Sequence, residues 1–555
     1  MKKTRFLSFV LPIMLFAATM FTSCSSSEKE ENAEAKSKEV AIAQSDRSIS
    51  VVPKNALAVA NINLGAIWEK GEFDNLKNLS EVKKARREIK QNDPEIDKLI
   101  ESILNNPSSC GLNMKDNIVA FVAKEGRNTF FVASVPMDNK ETFDGFLNKL
   151  AEINGNNVIS EGEKISENGI TYLIYDRAIA AYDKNKLLFV TTNNYEMNVN
   201  YMKKYTSKIL KLESSNCIAQ VDSFRKYWNK RGDISVWGSF KNILSYSLKI
   251  KERIDIVPKD VMKDVENMAA YLSFTFEDGS LALQLNSIGT PENVSSILSN
   301  NFNKNIIKYM PGNTLAAATL SLDMNNIVNL INNVAGKNTP MNQSIGIRNY
   351  KIKDVVNAFG GSFVASFYGM INDEIPAVAV AADIKNYELV KNMIEQFGFY
   401  QDGDFYRSYD APFTIYLKKD AIIVSTDGSV LNKAVNGGYS NGLGNIADKA
   451  KDGNYVYVNL DYDRYPSEIK KIIDDDVFTH HYYAYKINSD DVSTYHYYDD
   501  EAARAFTEIM RWFRNADVKL GNNGLVVKVY TSDSNTNSLS FLINKINQLA
   551  TKYNK

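Results

Sequence analysis

Apolar and polar residues alternate along much of the chain with the period of half-buried β-strands. This alternation predicts strands at 56–62, 117–123, 129–135 and 234–239, and a hairpin over 271–285. The alternation is only partial in each segment. We therefore expect sheets that bury one face under helices and leave the other face in closer contact with water.

A helix is predicted to begin at Asp138, because Glu141 three residues later completes a capping box for the free backbone amides. Its apolar side chains recur on one face: Phe143, Phe146, Leu147 and Leu150. The resulting order of strand, helix, two strands and helix begins the split ferredoxin-like βαββα motif. The predicted fold class is α+β, with mostly antiparallel sheets covered by helices.

The same order of elements occurs twice. Residues 52–58 (VPKNALA) match residues 310–316 (MPGNTLA), and later pairs follow in the same order along the chain. These pairs are Asp138 with Asp383, strand 187–192 with 421–426, Gly232 with Gly453, and the turn Asp278-Gly279 with Asn523-Gly524. The matches predict two tandem modules, at 49–306 and 307–555, each made of two half-units.

The first residues have the pattern of a secretory signal. Lys2, Lys3 and Arg5 precede an apolar run at 6–21, which is shorter than the about 20 residues that span a bilayer. Small residues then lead to Cys24, as in the lipobox of bacterial lipoproteins. We expect a signal peptide at 1–23 and acylation of Cys24, for example with palmitate; an unmodified Cys24 in an ordinary secreted protein is the alternative.

A polar segment at 24–48 follows and predicts a flexible tether. Its acidic residues, Glu28, Glu30 and Glu31, are similar to the surface-export signal of Bacteroidota lipoproteins, although they also suit a linker that is merely solvated. We therefore expect a protein held at the outer membrane by lipid, facing either the periplasm or the cell exterior.

Composition narrows the classes of partner. The chain has 555 residues, of which 44% are hydrophobic and 24% charged, as in folded domains. Its 65 Lys and Arg balance 66 Asp and Glu, which argues against nucleic-acid binding. Cys110 and Cys217 lack a CxxC spacing, and we expect two small buried hydrophobic side chains rather than a disulfide or a catalytic thiol.

The signal, the tether, the segment VPKNALAVANINL at 52–64 and its second copy together resemble a known family. It is the Bacteroidota lipoprotein family called domain-of-unknown-function family 4836. The resemblance covers essentially the whole mature chain and implies a fold and a location. It implies no active-site residues.

All three histidines lie in a segment at 474–501 that is rich in Tyr and Asp. When the two modules are aligned, the first has no counterpart of this segment. The candidate ligands in this predicted insertion are His480, His481, Tyr482, Tyr483, His496 and Asp499. Imidazoles and carboxylates can bind a divalent metal, and tyrosines can stack on a glycan or meet an envelope protein. The sequence favours a simpler interpretation, a solvated loop or hairpin with ordinary tyrosine packing.

Motifs for nucleotide binding and covalent catalysis point to no site: the sequence contains no GxxxxGK[ST] loop, and its GxSxG match at 438–442 lies in a polar Gly- and Asn-rich stretch and not in a strand that leads straight into a helix. We expect no cofactor and name no catalytic residue. The sequence favours a non-enzymatic binding or structural protein of the cell envelope, whose partners are the membrane and a protein or glycan. The alternative is a lipoprotein that binds a glycan or metal, or that hydrolyses a substrate, through the insertion.

Overall fold

The secondary structure mixes α-helices with antiparallel β-sheet, in agreement with the predicted α+β class. The computed structural model describes residues 46–153, 163–175, 178–194, 198–246, 268–290, 296–335, 340–344, 350–371, 375–471, 479–485, 492–498, 500–521 and 524–553. These residues form two units. The N-terminal unit contains those within Ser27–Thr290 and Ser534–Lys555, and the C-terminal unit contains those within Pro291–Asp533.

The sheet of the N-terminal unit is formed by β1 (Ala58–Asn63), β2 (Asn117–Glu125), β3 (Asn128–Pro136), β4 (Glu163–Glu167), β5 (Ile170–Tyr175), β6 (Ala178–Tyr182), β7 (Lys186–Thr192), β8 (Ile234–Ser239), β9 (Ala269–Glu277) and β10 (Ser280–Ile288). Neighbouring strands pair antiparallel in the order β10-β9-β8-β1-β2-β3-β7-β6-β5-β4. Strand β1 is therefore central, between β2 and β8.

The hydrophobic core of this unit packs against one face of the sheet. Along β2, residues 117, 119, 121 and 123 are buried and the alternate ones are half-buried, as expected when only one face is closely packed. The core includes the fully buried Trp228 and Trp237. The helices of this part of the chain are α1 (Leu64–Lys70), α2 (Ser80–Asn92), α3 (Pro94–Asn105), α4 (Lys140–Ile153), α5 (Val199–Leu210), α6 (Asp222–Trp228) and α7 (Phe240–Tyr246).

The sheet of the C-terminal unit is formed by β11 (Ala316–Ser321), β12 (Phe359–Ile371), β13 (Ile375–Ile384), β14 (Tyr400–Asp402), β15 (Phe405–Arg407), β16 (Thr414–Lys418), β17 (Ala421–Ser425), β18 (Tyr455–Asn459), β21 (Phe513–Gly521) and β22 (Gly524–Thr531). Its antiparallel order is β22-β21-β18-β11-β12-β13-β17-β16-β15-β14. Strands β19 (Thr479–Tyr485) and β20 (Val492–Tyr498) pair only with each other among the described residues.

The helices of the C-terminal unit are α8 (Met324–Ala335), α9 (Ile352–Asn357), α10 (Tyr387–Gln396), α11 (Gly428–Val435), α12 (Ala447–Ala450) and α13 (Asp500–Met510). The buried residues form two clusters. One surrounds Val364 and Ile423 at the centre of the sheet, and the other lies between α10 and the β15–β16 pair, around Leu389 and Tyr406.

The last helix, α14 (Ser538–Tyr553), packs in the N-terminal unit against α1, α2 and β9. Phe541 is buried there, and the Ser540 hydroxyl donates to Glu72 Oε1 over 3.0 Å. The sequence-based boundaries place the segment 534–555 in the second module. In the structure, the apolar face of α14 packs against the N-terminal unit instead. The order of elements along the sequence does not reveal this packing.

The two units have the same strand order, strand for strand. In each, the first strand pairs on one side with the strand that follows the first helical segment and on the other with the strand that opens the second half. The split ferredoxin-like order differs, because it places another strand between the first two. Here β1 pairs directly with β2, so each half-unit begins as an antiparallel meander.

The predicted hairpin turn and the predicted helix start can be compared directly with the structure. Asp278-Gly279 forms the predicted turn between β9 and β10, with a positive φ of 67° at Gly279. The predicted helix start at Asp138 is wrong by one residue. Asn139 Oδ1 accepts a hydrogen bond from the backbone amide of Thr142 over 2.7 Å, whereas Asp138 accepts from the side chain of Asn113.

Both described cysteines are free and buried, each with 5% of its surface exposed. Burial raises the pKa of Cys217, and its thiol lies 3.1 Å from the carbonyl oxygen of Ile49. This confirms the expectation of small buried hydrophobic side chains.

Candidate functional site

Within the predicted insertion at 474–501, the three histidines lie in two strands whose backbone the structure describes, β19 and β20. His480, His481, Tyr482 and Tyr483 lie on β19, and His496 lies on β20. In the antiparallel register His481 is directly opposite His496, whereas His480 is opposite Tyr497. Asp499 and Cys24 lie outside the described residues. Among the side chains that are described, no group of three or more His, Cys, Asp or Glu is placed to hold a metal ion.

A cleft of about 550 Å³ lies in the C-terminal unit, between the two chain segments that flank β19 and β20. Asp461, Asp463 and Arg464 come from the segment before β19, and Arg511 and Arg514 come from the segment after α13. The remaining lining residues are Asn445, Ile446, Lys449, Tyr457, Phe513, Asn515 and Ser532. The aspartates and arginines among these lining residues lie about ten positions before and after the predicted insertion in sequence.

Short-range hydrogen bonds shape the segment at 459–464. Asn459 Oδ1 accepts from the amide of Asp461 over 3.0 Å, and Asp461 Oδ1 accepts from the amide of Asp463 over 3.2 Å. Such Asx contacts turn the chain. The carbonyl oxygen of Arg514 accepts from the amides of Leu460 and Asp461 over 2.9 and 3.0 Å. The two walls of the cleft are therefore held together by backbone hydrogen bonds.

Two arginines of the cleft are paired with carboxylates. Arg511 reaches Asp463 with both Nε and Nη2, at 2.9–3.1 Å, and Arg464 Nε lies 3.1 Å from Asp461 Oδ2. The hydrogen bond and charge of Arg511 hold the pKa of Asp463 below its ordinary value. Because both partners of the first pair are more than half exposed, the pair adds little stability and can open to a competing anion.

Lys449 is tied to a buried carboxylate. Its Nζ lies 2.5 Å from Asp517 Oδ2, and Asn515 Nδ2 donates to the other oxygen over 2.8 Å. Burial works to lower the pKa of Lys449, but the hydrogen bond and charge of Asp517 outweigh it, so the pKa is raised. Lys449 therefore stays protonated and largely neutralises Asp517.

Arg514 has a different environment. Its Nη2 donates to the carbonyl oxygen of Ser532, and no described carboxylate forms a salt bridge with it. Since Arg464 and Arg511 are balanced by Asp461 and Asp463, Arg514 leaves the cleft with a surplus positive charge. A guanidinium with free donors suits a carboxylate or phosphate group.

The N-terminal unit contains a second cleft, of about 710 Å³, between α3 and α4. Leu99 and Phe146 form part of its lining, and its charged residues are Glu95, Lys98, Lys149 and Glu152. Lys98 pairs with Glu95 over 2.6 Å. Because its charges balance, this cleft has no comparable preference for an anion.

The cleft of the C-terminal unit, with its surplus charge at Arg514, is called the cationic cleft. The sequence did not indicate its residues. Lys449, Arg464, Arg511 and Arg514 are spread over more than sixty residues and follow no motif. They converge only because β18 pairs with β21 and aligns the chain segments at the ends of these strands. Their charge is the one cue in the sequence, and it does not single them out among 65 Lys and Arg.

No described helix is long and apolar enough to cross a lipid bilayer.

Solved structures with remote similarity include "Structure of crystal form IV of TP0453" and "Structure of crystal form I of TP0453". Both are 11% identical to the chain, cover 44% of it and are themselves covered to 81% and 79%, with TM-scores of 0.23 and 0.21. Scores this low support no inference about fold or function.

No curated protein matches the chain. The profile of the family described as "Domain of unknown function (DUF4836)" matches residues 49–508 and so spans most of the chain and both units. The chain therefore belongs to the DUF4836 family.

Proposed function

We propose that this protein is a lipid-anchored protein of the bacterial cell envelope, with a non-enzymatic binding or structural role. Cys24 is acylated, the polar segment that follows is a tether, and the folded units stand at the outer membrane, facing the periplasm or the cell exterior. The basic and apolar residues before Cys24 support this assignment. The resemblance to Bacteroidota lipoproteins supports it as well.

We also infer that the two units arose by duplication of one module. The ordered sequence matches between 52–58 and 310–316 and between the later pairs support this inference. The shared strand order of the two sheets supports it independently, since ten-stranded orders rarely coincide by chance. On this basis β19 and β20 are an addition to the second copy, and additions to a duplicated scaffold often carry function.

The proposed binding role rests on the cationic cleft. It has room for a small ligand and exposes Arg514 without a carboxylate partner among the described residues. The Arg511–Asp463 pair beside it is exposed and able to exchange partners. The ligand that fits is a small polar molecule or glycan that carries a carboxylate or phosphate group.

We expect Arg514→Gln to weaken binding of such a ligand about 10- to 100-fold, because the charge-assisted hydrogen bonds are lost while the size of the side chain is kept. The measurement is titration of the purified protein with citrate and with inorganic phosphate, followed by calorimetry. Arg127→Gln, an exposed arginine of the N-terminal unit, is the matched control and should bind like the wild type. Equal affinity for Arg514→Gln and wild type, or no binding by the wild type, would contradict the assignment.

A second candidate is metal binding by the β19–β20 pair. The direct opposition of His481 and His496 favours it, because opposite residues of antiparallel strands lie about 5 Å apart at Cβ, which suits two ligands of one divalent ion. Tyr482 and Tyr483 follow His481 on β19, and a glycan or envelope protein is the other partner proposed for them.

We expect His481→Ala and His496→Ala each to abolish stoichiometric zinc uptake, whereas His480→Ala, opposite Tyr497, should retain it. Elemental analysis after dialysis against zinc gives the ratio of metal to protein. If all three variants and the wild type take up equally little zinc, the metal function is excluded and the segment is left with glycan or protein binding.

A further inference from the structure

The outer surface of helix α2 carries four cationic side chains: Lys83, Lys84, Arg87 and Lys90. All four are exposed, and their spacing places them along one side of the helix over about 10 Å. No described carboxylate forms a salt bridge with any of them. Arg87 Nε donates to the backbone oxygen of Lys83 over 3.3 Å. Glu88 is the one exposed acidic side chain of the helix.

Other side chains of α2 are fixed in the N-terminal unit. Arg86 donates through Nε and Nη2 to the buried Asp97 over 2.8 and 3.1 Å, and it also lies 3.2 Å from Glu101. At the start of the helix, the Ser80 hydroxyl contacts Asn547 and Thr551 of α14 over 3.0 and 2.7 Å. The helix is thus held by one arginine that is paired internally, while its four other cations face solvent as a rigid strip.

We propose that this strip is a docking surface for anionic lipid headgroups, which holds the N-terminal unit against the membrane. The inference rests on the proposed anchorage at Cys24. The overall charge of the chain is −1, so the strip is a local concentration of charge and not part of a basic protein. A row of phosphate groups on a lipid surface matches unpaired cations along a helix.

The anchor favours a membrane over other anionic partners. The proposed tether at 24–48 places only 25 residues between the proposed lipid and the folded N-terminal unit, which contains α2. The strip would therefore meet headgroups at a high effective concentration. One lipid group together with a basic surface is also the combination that makes membrane attachment stable.

The test uses the mature chain with Cys24→Ser, so that no acyl chain is present and a failure of the anchor does not affect the result. Binding is measured by co-sedimentation with vesicles of phosphatidylcholine alone and with vesicles that contain about 30% phosphatidylglycerol, at low and high salt. The test variant carries Lys83→Gln, Lys84→Gln, Arg87→Gln and Lys90→Gln. The matched control removes the same charge elsewhere on the N-terminal unit, with Lys54→Gln, Lys115→Gln, Lys184→Gln and Lys230→Gln, all of which are exposed.

We expect the wild-type strip and the control to bind the phosphatidylglycerol vesicles in a salt-sensitive manner, and the test variant to bind them about a hundredfold more weakly. Vesicles of phosphatidylcholine alone should bind none of the three. Equal binding by the test variant and the control would overturn the proposal. So would a protein that ignores these vesicles but binds duplex DNA in a salt-sensitive manner, since the strip would then serve a different partner.

Discussion

Replacement of Cys24 by serine is expected to release the protein from the membrane completely. Cys24 is the proposed attachment point for acyl chains, and the serine variant has no thiol to carry them. The variant is exported with a signal sequence that general secretory peptidase removes before residue 24, so that export and removal of the signal do not depend on the cysteine. Fractionation after a high-salt wash, which strips electrostatically bound protein, shows where the chain remains.

Ser25→Ala behind the native signal is the control for a change beside the attachment point and should stay with the membrane. Retention of the Cys24→Ser variant after the salt wash would show that something other than an acyl chain holds the protein. The basic strip of α2 does not account for such retention, because salt screens it.

Phe541→Ala is expected to destabilise the N-terminal unit by about 3–5 kcal/mol, even though Phe541 is more than 240 residues from the rest of that unit in sequence. Phe541 is 6% exposed and lies on α14, which packs against α1, α2 and β9. Loss of its ring leaves a cavity under the helix. Urea unfolding measures the change, followed by tryptophan fluorescence.

The fluorescence can be assigned to one unit. Trp68, Trp228 and Trp237 belong to the N-terminal unit, so Trp512→Phe in the background leaves only these three of the four tryptophans. Ile546→Ala, on the same helix but 56% exposed, should change the free energy of unfolding by less than about 0.5 kcal/mol. If Phe541→Ala were as mild as Ile546→Ala, α14 would not be part of this unit's core.

Three predicted strands agree closely with the structure, although the alternation of apolar and polar residues is only partial. β8 has the predicted bounds of 234–239, and the predicted strands at 117–123 and 187–192 differ from β2 and β7 by at most two residues. Alternation fixes which residues enter the core, because a shift by one residue would turn every apolar side chain to the other face. The α+β class follows from these local signals.

The order of the strands in the sheet depends on contacts between residues that are far apart in sequence. The pattern of strand, helix and two strands is the same for a split ferredoxin-like motif and for the observed meander, because the connection through α1, α2 and α3 allows either pairing. Direct pairing of Ala60 with Ala120 decides between them. In the same way, Asp138 and Asn139 are both good caps, and only tertiary contacts choose Asn139, since Asp138 already binds Asn113.

The residues of the candidate site were not predictable from the sequence. The interpretation centred on His480, His481 and His496, because histidines are rare in this chain, whereas the cleft is lined by residues outside 474–501. Arg514 carries no such signal. Its importance comes from its partner, a carbonyl oxygen in place of a carboxylate, and that is a property of the folded chain.

The most direct test of the proposed anchorage is the mass of the N-terminal peptide of the protein purified from cell membranes. The proposal predicts that the mature chain begins at Cys24 and that this peptide is heavier than its sequence by a diacylglycerol group, with or without a further acyl chain on the amine. A peptide of unmodified mass that begins at Cys24, or a chain that begins at any other residue, would contradict it.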